Sequence, residues 1–476
     1  MELNQDQCYQ ALISRDSRFD GVFFVTVSST GIYCRPVCPA KTPRRENCSF
    51  HRIAASAERA GYRPCLRCRP ELAPGNAQID SISRIARAAA CRIEDGALIE
   101  GGVEALAAEL GVSGRHLRRV VEQEFGVTPI ELAQTSRLLF AKRLLTDTDL
   151  SVTEVAFAAG FSSLRRFNAL FKDRYRLNPT GLRKTRGKQG ECDTLVCEIA
   201  YSPPLEWESM LAFLRNRTCA GVEAIDGDRY YRTVSVGDAR GWLSIGHATG
   251  KDALRVAVSL SLASKLRPVM AMVKRAFDLE AQPAQIADQL GEIASARPGL
   301  RIPGSFDGFE TAVRAILGQQ VSVAAATTLA GRYVRAFGEP MDTSISGLTH
   351  LTPAAARIAA IEPDELVSLG ILRSRAITII SLARAIAEKK ISLHAGVDVP
   401  RTMELLKELP GIGEWTAQYI SMRSLRWPDA FPHTDLGIRK ALHTTNSKQI
   451  LEIAEAWRPW RAYAVMHLWK SLETQQ

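Results

Sequence analysis

The 476-residue sequence has no uninterrupted run of about 18 apolar residues, so we expect no membrane partner and no membrane-spanning helix. The N-terminus lacks the basic and apolar regions of a secretory signal, and the ten cysteines do not form a disulfide framework. These absences predict a reducing, cytoplasmic location. Net positive charge is scarce in residues 191–476. Residues 1–190 have a net charge of +9, which leaves +1 of the total +10 for the rest of the chain. A basic first part indicates an anionic partner such as nucleic acid.

Length alone predicts about three domains, since one hydrophobic core rarely grows beyond 250–300 residues. The hydrophobic patterns predict a multidomain protein that is mainly α with α+β parts. Residues 1–75 are short-patterned and rich in Arg, Pro and Gly, as expected of a small metal-organised domain, and residues 80–186 are helical throughout. A polar linker at 183–190 is followed by alternating, strand-like segments within 195–300 and by helical patterns over 301–476.

Four cysteines in the first domain have the spacing of a metal site. Cys34 and Cys38 form one close pair, and Cys65 and Cys68 form the other. Two such thiol pairs match the tetrahedral coordination of one Zn²⁺ ion. Spacing alone favours a structural site over a reactive one. The flanking arginines predict that the metal faces something negatively charged, and Arg35, Arg45 and Arg67 are candidate phosphate contacts.

The second domain contains two helix-turn-helix patterns. A helix ending near Leu110 is followed by a Gly-Val-Ser break and by a helix that Ser113 can cap. The pattern recurs 49 residues later, around a break at 160–163, and a helix-like segment from about Pro129 to Thr146 joins the copies. The polar faces of the two second helices carry the candidate DNA contacts, which are Arg115, His116, Arg118, Arg119, Arg165, Arg166, Asn168 and Lys172.

The segment FAAGFSS at 157–163, followed by Phe167, Phe171 and Asn178-Pro179, resembles the AraC-type transcriptional regulators. The resemblance covers roughly residues 80–186. It implies an all-α DNA-binding domain that inserts its two recognition helices into successive major grooves. RNA polymerase is then an expected partner, and we expect the protein to act as a monomer.

The words TGIYCRPVC at 30–38, RENCSF at 45–50 and GYRPCLRCRP at 61–70 resemble the N-terminal domain of Ada-type alkylation-response proteins. The resemblance implies that Cys34 takes a methyl group from a DNA methylphosphotriester, while Cys38, Cys65 and Cys68 complete the zinc shell. Four thiolates on Zn²⁺ carry a formal charge of about −2. Methylation of Cys34 removes one negative charge, so we expect DNA affinity to rise.

The last part contains LPGIGEWTA at 409–417, a predicted helix-hairpin-helix in which Gly411 and Gly413 allow close approach to a phosphate. Asp435 follows about twenty residues later, in FPHTDLG. Taken alone, this aspartate is a plausible helix cap. Aromatic residues at helical spacing, such as Trp415 and Tyr419, are by themselves more typical of a core than of a pocket.

Together with RPGLRIPG at 297–304 and WRPWRAYA at 457–464, these words resemble the helix-hairpin-helix DNA glycosylases of the AlkA type over about 195–476. The resemblance implies that Asp435 is the catalytic carboxylate and that Trp415, Tyr419 and Trp469 line the pocket for the flipped base. It further implies a 3-methyladenine DNA glycosylase acting on double-stranded DNA. Members of that family can have a leucine that intercalates into DNA at the position where this chain has Gln320.

Three further absences narrow the activity. After Cys219 there is no cysteine, so the iron–sulfur cluster of the endonuclease III branch cannot be built. Glu414 and Trp415 follow Gly413 where strand-cleaving relatives place a lysine, which predicts base removal without strand cleavage. The Pro-Cys-His-Arg-like site of guanine O6-methyl transfer is also missing.

Two alternatives stay open on the sequence. In one, the protein is only a transcriptional regulator whose C-terminal domain binds damaged DNA without cutting it. In the other, it is a glycosylase with a purely structural zinc domain. Asp435 disfavours the first alternative, and Cys34 in its Ada-like setting disfavours the second.

Overall fold

A computed structural model describes residues 5–16, 19–73, 84–148, 150–182, 194–394 and 396–474. The chain forms two compact units. One comprises Met1–Pro203, Ala248–Lys274 and Leu279–Gln282, and the other comprises Pro204–His247, Arg275–Asp278 and Pro283–Gln476. The predicted linker and the residues directly after Ala73, where the first boundary was predicted, lie outside the described ranges. Among the helices within these ranges, none is long and apolar enough to cross a membrane.

The first unit begins with a small α+β fold. Its elements are α1 (Gln5–Ser14), β1 (Phe24–Val27), β2 (Ile32–Cys34), β3 (Cys48–His51), α2 (Ala54–Arg59) and β4 (Arg63–Pro64). The strands form a sheet in the order β3-β1-β2-β4, in which β2 is antiparallel to β1 and parallel to β4. All four residues of β1 are buried, because α1 and α2 contribute to apolar clusters on its two faces. The register sets Cys34 opposite Val25, at the end of β2.

Eight helices follow: α3 (Arg84–Glu94), α4 (Ala97–Glu100), α5 (Val103–Glu109), α6 (Gly114–Phe125), α7 (Pro129–Asp147), α8 (Val152–Ala158), α9 (Leu164–Tyr175) and α10 (Pro179–Leu182). Ser113 and Ser163 cap the two predicted recognition helices, α6 and α9, by accepting N–H groups of their first turns. Thr128 and Ser151 form capping boxes at α7 and α8. Both helix-turn-helix predictions are confirmed, and α7 is the helix that joins them.

The next segment contains β5 (Thr194–Ala200), α11 (Trp207–Arg215), β6 (Glu223–Asp226), β7 (Arg229–Val236), β8 (Ala239–His247) and β9 (Ala253–Ser259). β5 and β9 pair antiparallel in the first unit. In the second unit β6, β7 and β8 form an antiparallel meander. Val236 pairs with Ala239, so the hairpin turn between β7 and β8 lies at Gly237 and Asp238.

The rest of the chain is helical, as predicted. Its helices are α12 (Leu266–Ala276), α13 (Pro283–Leu290), α14 (Glu292–Ser295), α15 (Gly308–Leu317), α16 (Val323–Phe337), α17 (Ala355–Ile358), α18 (Pro363–Val367), α19 (Arg373–Ala387), α20 (Val399–Lys407), α21 (Glu414–Arg423), α22 (Leu436–Ala441), α23 (Ser447–Ala454) and α24 (Arg461–Thr474). Helices α15, α16, α19, α20 and α21 share one buried apolar core. This core fixes the turn between α20 and α21, where the hairpin was predicted.

Candidate functional sites

The four predicted zinc ligands lie together. The sulfur atoms of Cys34, Cys38, Cys65 and Cys68 are all within 4.8 Å of one another. Tetrahedral zinc–thiolate sites have Zn–S bonds of about 2.3 Å, which place the sulfurs roughly 4 Å apart. Cys38 and Cys65 are 4.0 Å apart, so the cluster fits one tetrahedral metal ion.

Backbone amides donate to two of these sulfurs. The amide of Arg35 lies 3.3 Å from the Cys68 sulfur, and the amide of Arg67 lies 3.4 Å from the Cys65 sulfur. Such N–H donors suit thiolates better than thiols, because a thiolate has only acceptor sites. All four ligands are buried in the cluster, and Cys34 is the one whose residue as a whole keeps partial exposure.

The predicted phosphate contacts around the cysteines occupy different environments. Arg35 is mostly buried and bonds bidentately to Asp20, and it also donates to the Cys68 carbonyl at 3.1 Å. Arg35 could therefore contact a phosphate only if its hydrogen bonds to Asp20 were broken. Arg45 lies over the rings of Tyr9 and Phe50 at 5.7 and 5.5 Å, and its side chain remains partly exposed.

Arg67 is exposed within the loop between Cys65 and Cys68.

In the recognition helices, the polar faces lie where the sequence predicted. The exposed candidates are Arg115, Arg118, Arg119, Arg165, Arg166, Asn168 and Lys172, and His116 is half-buried. Arg118 pairs with Glu104 of the preceding helix at 2.8 Å, and Arg119 contacts His116 at 3.1 Å. Apolar residues of the same helices, including Leu117 and Phe167, are fully buried. The two faces therefore separate as a groove-binding helix requires.

In the second unit, Asp435 lies at the N-terminus of α22 and its carboxylate accepts four N–H groups. Oδ1 accepts the amides of Gly437 (2.8 Å) and Ile438 (3.1 Å). Oδ1 also accepts Nε1 of Trp469 at 2.9 Å, and Oδ2 accepts Nε1 of Trp415 at 2.9 Å. Asp435 is thus a helix cap, as its position alone suggested, and is also bonded to two predicted pocket residues.

The three predicted pocket aromatics lie side by side. Trp415 and Tyr419 are stacked with ring centroids 5.2 Å apart, and Tyr419 lies 6.4 Å from Trp469. All three rings line a cavity of about 1330 Å³ together with Asp435. The sequence did not predict that the two tryptophans would hold Asp435 through their indole N–H groups. A stacking role and a hydrogen-bonding role are both available to them.

Gly411 and Gly413 also lie on the wall of this cavity. Gly411 has φ +81°, and a Cβ there would collide with the side chain of Thr378. Only glycine therefore fits this turn without strain. Gly413 precedes α21 as its N-cap, so the free amides of the first turn of α21 follow the turn directly.

Gln320 lies in the loop between α15 and α16 and lines the cavity. Its φ of +53° is rare for a residue with a side chain. The neighbouring Gln319 fixes the loop by donating to the Gly411 carbonyl at 2.9 Å and to Thr416 at 3.0 Å. Arg375 donates to the Gln319 carbonyl from the other side.

Sequence reasoning missed Arg217, which lines the cavity, and Phe213, which packs against two of the lining residues. Phe213 of α11 lies parallel to Trp469, with ring centroids 6.5 Å apart and an angle of 15°. The Arg217 guanidinium lies 3.8 Å from the Phe213 ring centroid. They stand about two hundred residues before Asp435 in the sequence, and no local motif marks them.

Known family models match four stretches of the chain. Family models match for the metal binding domain of Ada (residues 7–71) and a helix-turn-helix domain (106–185). Two further models match, for the AlkA N-terminal domain (196–307) and the HhH-GPD superfamily of base excision DNA repair proteins (313–456). The first match identifies the metal as one zinc ion, which the four clustered cysteines hold.

Similar proteins cover the chain as a whole and in part. A probable bifunctional transcriptional activator/DNA repair enzyme AlkA of Mycobacterium tuberculosis is 38% identical, over 98% of this chain and 96% of that protein. A DNA-3-methyladenine glycosylase 2 of Escherichia coli is 37% identical over 57% of this chain and 95% of its own length. A solved 3-methyladenine DNA-glycosylase from Archaeoglobus fulgidus shares the fold of 57% of this chain, with TM-score 0.50 and 19% identity. The chain belongs to the family of bifunctional transcriptional activators and AlkA-type DNA repair glycosylases.

Proposed function

We propose that this protein both senses and repairs alkylated DNA. Cys34 accepts a methyl group from a DNA methylphosphotriester and thereby switches on transcriptional activation. Asp435 assists hydrolysis of the N-glycosidic bond of alkylated bases such as 3-methyladenine. The carrying observation is the Asp435 carboxylate, bonded to two indole N–H groups in a cavity lined by aromatic rings.

The accessibility of the cysteines supports Cys34 as the methyl acceptor. Zinc, when bound, keeps the four sulfurs as thiolates near neutral pH. The Cys34 sulfur then attacks the methyl carbon; an S–C bond forms, the methyl C–O bond breaks, and the phosphate leaves as an ordinary diester anion. Cys34 is the partly exposed member of the set, while the other three are buried and suited to holding the metal.

The expected signal is electrostatic. Conversion of the Cys34 thiolate to a thioether removes one negative charge next to the DNA backbone, so the repulsion between protein and phosphates decreases. Arg45 and Arg67 are the proposed phosphate contacts here, and Arg35 is a weaker candidate because it is bonded to Asp20. The recognition faces of α6 and α9 would then read the operator, with RNA polymerase recruited to a monomeric activator.

For base removal, the lesion leaves the DNA stack and enters the cavity. The C1′–N bond breaks, its electron pair leaves with the base, and positive charge develops on the sugar. The carboxylate of Asp435 stabilises that charge while water adds to C1′ and releases one proton to the solvent. The extruded base can stack on the rings of Trp415, Tyr419 and Trp469. Gln320 would fill the space that the base leaves in the duplex. Without a lysine nucleophile after Gly413, we expect an abasic site and no strand cleavage.

Base release from methylated DNA tests the glycosylase. The wild-type chain should release 3-methyladenine, and Asp435→Asn should lose release while it still unfolds in a cooperative thermal transition. Asp429→Asn is unsuitable as a control, because Asp429 forms a buried ion pair with Arg461 and its substitution would change stability. The exposed Asp364→Asn is the matched control. Full release by Asp435→Asn would exclude the proposed catalytic role.

Binding of a random-sequence duplex tests the proposed electrostatic signal. The protein treated with methylphosphotriester DNA should bind the duplex several-fold more tightly than the untreated protein. Cys34→Ser should show no change on the same treatment. Equal affinities before and after treatment of the wild type would exclude the charge mechanism, whatever the outcome for base release.

A further inference from the structure

Tyr33 lies between two of the zinc ligands. It directly precedes Cys34 in β2, and its carbonyl accepts the backbone amide of Cys65 at 2.9 Å. Its side chain is fully buried, and its hydroxyl donates to the carboxyl group of Glu58 in α2 at 3.0 Å. The strand that carries the proposed methyl acceptor is therefore bonded, through one tyrosine, to one buried carboxyl group.

Glu58 joins this strand to the helix-turn-helix domain. Its second carboxyl oxygen accepts the Thr135 hydroxyl of α7 at 2.9 Å, and its backbone carbonyl accepts Nη1 of Arg174 in α9 at 3.5 Å. Helix α7 connects the two helix-turn-helix copies, and α9 is the second recognition helix. Because Glu58 is only 4% exposed, water cannot take the place of a lost partner. One buried residue thus contacts the methyl-acceptor strand, the connecting helix and a recognition helix.

Ion pairs hold the same two parts of the chain together. Each joins a residue of the zinc-binding part to α6 or α7, and the pairs are Arg69 with Asp147, Glu71 with Lys142, Arg52 with Glu124 and Arg59 with Glu122. Arg69 directly follows the zinc ligand Cys68 in the sequence. The zinc cluster is therefore connected to α7 through the sequence neighbours of two ligands, with Tyr33 and Glu58 on one side and Arg69 on the other.

We propose that Glu58 is a positioning residue that docks the zinc-binding part on α7, so that DNA held by α6 and α9 responds to the charge of the zinc cluster. The proposal rests on the methyl transfer to Cys34 proposed above. A docked zinc-binding part keeps its sulfurs at a fixed distance from a duplex on the recognition helices. A part tethered only by the chain moves away when the duplex repels it, and approaches with a lower effective concentration when the duplex attracts it.

Docking has effects of opposite sign in the two states of Cys34. Before methylation the zinc cluster repels phosphates, so docking weakens DNA binding by the recognition helices. After methylation one negative charge is gone, and docking adds the arginines of the zinc-binding part to the DNA contacts. Loss of docking should therefore strengthen DNA binding of the unmethylated chain and weaken that of the methylated chain. Loss of folded protein would weaken binding in both states, so this pattern distinguishes docking from a purely structural role of Glu58.

Binding of a random-sequence duplex by the full chain, before and after treatment with methylphosphotriester DNA, tests the proposal. Wild type should bind several-fold more tightly after treatment. In Glu58→Ala the ratio of the two affinities should approach one, with tighter binding than wild type before treatment and weaker binding after it. Glu58→Gln is the matched variant, because it has the charge of Glu58→Ala but keeps hydrogen-bonding groups for Tyr33 and Thr135. It should keep the ratio of wild type.

Methyl uptake by Cys34 shows that the zinc-binding part of each variant is folded, and it should equal that of wild type because Glu58 bonds to Tyr33 and not to a cysteine. Thr135→Val removes the same link from the side of α7, and it replaces Glu58→Ala if that variant takes up no methyl group. A wild-type ratio in these variants, or weaker binding in both states, would overturn the proposal and leave methyl transfer intact. Equal affinities of wild type before and after treatment would overturn the proposed electrostatic signal and this inference with it.

Discussion

The indole Nε1 of Trp469 donates to Oδ1 of Asp435 over 2.9 Å, although the two residues lie 34 positions apart. Trp415, which precedes Asp435 in the sequence, donates its indole Nε1–H to Oδ2 at 2.9 Å. Each carboxylate oxygen therefore receives one indole N–H, and the two amides at the start of α22 complete the set. The orientation of the carboxylate is determined by groups from α21, α22 and α24. We infer that the tryptophans position Asp435 as well as line the base cavity.

The Trp469→Phe and Trp415→Phe variants separate these two roles, because phenylalanine keeps an aromatic ring but has no N–H. We expect each variant to reduce single-turnover base release about tenfold, the typical effect of a hydrogen bond to a charged group. Trp457→Phe is the control, since Trp457 is half-buried outside the cavity. Wild-type rates in Trp469→Phe and Trp415→Phe, together with an inactive Asp435→Asn, would show that positioning by the indoles is dispensable.

A second prediction concerns Glu58 in the zinc-binding part. Its side chain is buried and accepts the hydroxyls of Tyr33 at 3.0 Å and of Thr135 in α7 at 2.9 Å. Burial raises its pKa to about 7, against the lowering effect of these hydrogen bonds. The folded state therefore holds a proton that the unfolded state loses near pH 4.5, so its stabilising effect is complete below that pH and is lost as the pH rises through 7.

Thermal or urea unfolding between pH 5 and 8 checks this expectation. The contribution of Glu58 to the free energy of unfolding should fall by roughly 3 kcal/mol over that range, in proportion to its pKa shift. Glu58→Gln keeps a hydrogen-bonding amide without the ionisable group and should flatten the dependence. The exposed Glu122→Gln should leave the slope as in wild type. Identical slopes in wild type and Glu58→Gln would contradict the assignment.

A third prediction concerns the buried ion pair between Glu71 and Lys142 of α7. Their side chains are only 1% and 2% exposed, so neither charge has water as an alternative partner. Lys142→Met should lower the free energy of unfolding of this unit by about 3 kcal/mol, because it removes the buried partner of one Glu71 oxygen and leaves Glu71 only the bond from Arg69 at 3.0 Å. The double variant with Glu71→Leu should recover most of that loss. Denaturant unfolding of the wild type, the two single variants and the double variant measures the coupling energy between Glu71 and Lys142. If the stability losses of the two single variants simply add in the double variant, the ion pair is excluded as the cause.

Local patterns predicted the elements better than they predicted the sites. Ser113 and Ser163 precede apolar helical periods, so the caps of both recognition helices could be predicted from the neighbouring sequence. The hairpin turn at Gly237 and Asp238 is likewise a local property. The four cysteines were grouped correctly because metal spacing is itself a sequence signal.

Contacts between distant parts of the chain had no such signal. The bond from Trp469 to Asp435 depends on how α24 packs beside α22, and no periodicity encodes that distance. Arg217 lines the cavity from just after α11, a helix that local patterns mark only as amphipathic, and it packs against Phe213 of that helix. The same holds for Arg35, which the sequence offered as a phosphate contact and the fold pairs with Asp20. Long-range packing therefore decides which charged residues remain available for DNA.

The measurement that tests the central claim most directly is peptide mass mapping of the full chain after incubation with duplex DNA carrying a methylphosphotriester. The account predicts that one methyl group is added per chain and that it lies on the Cys34 peptide, with Cys38, Cys65 and Cys68 unmodified. Cys34→Ser should take up no methyl group under the same conditions. An unmodified Cys34, or a methyl group on any of the other three cysteines, would contradict the account.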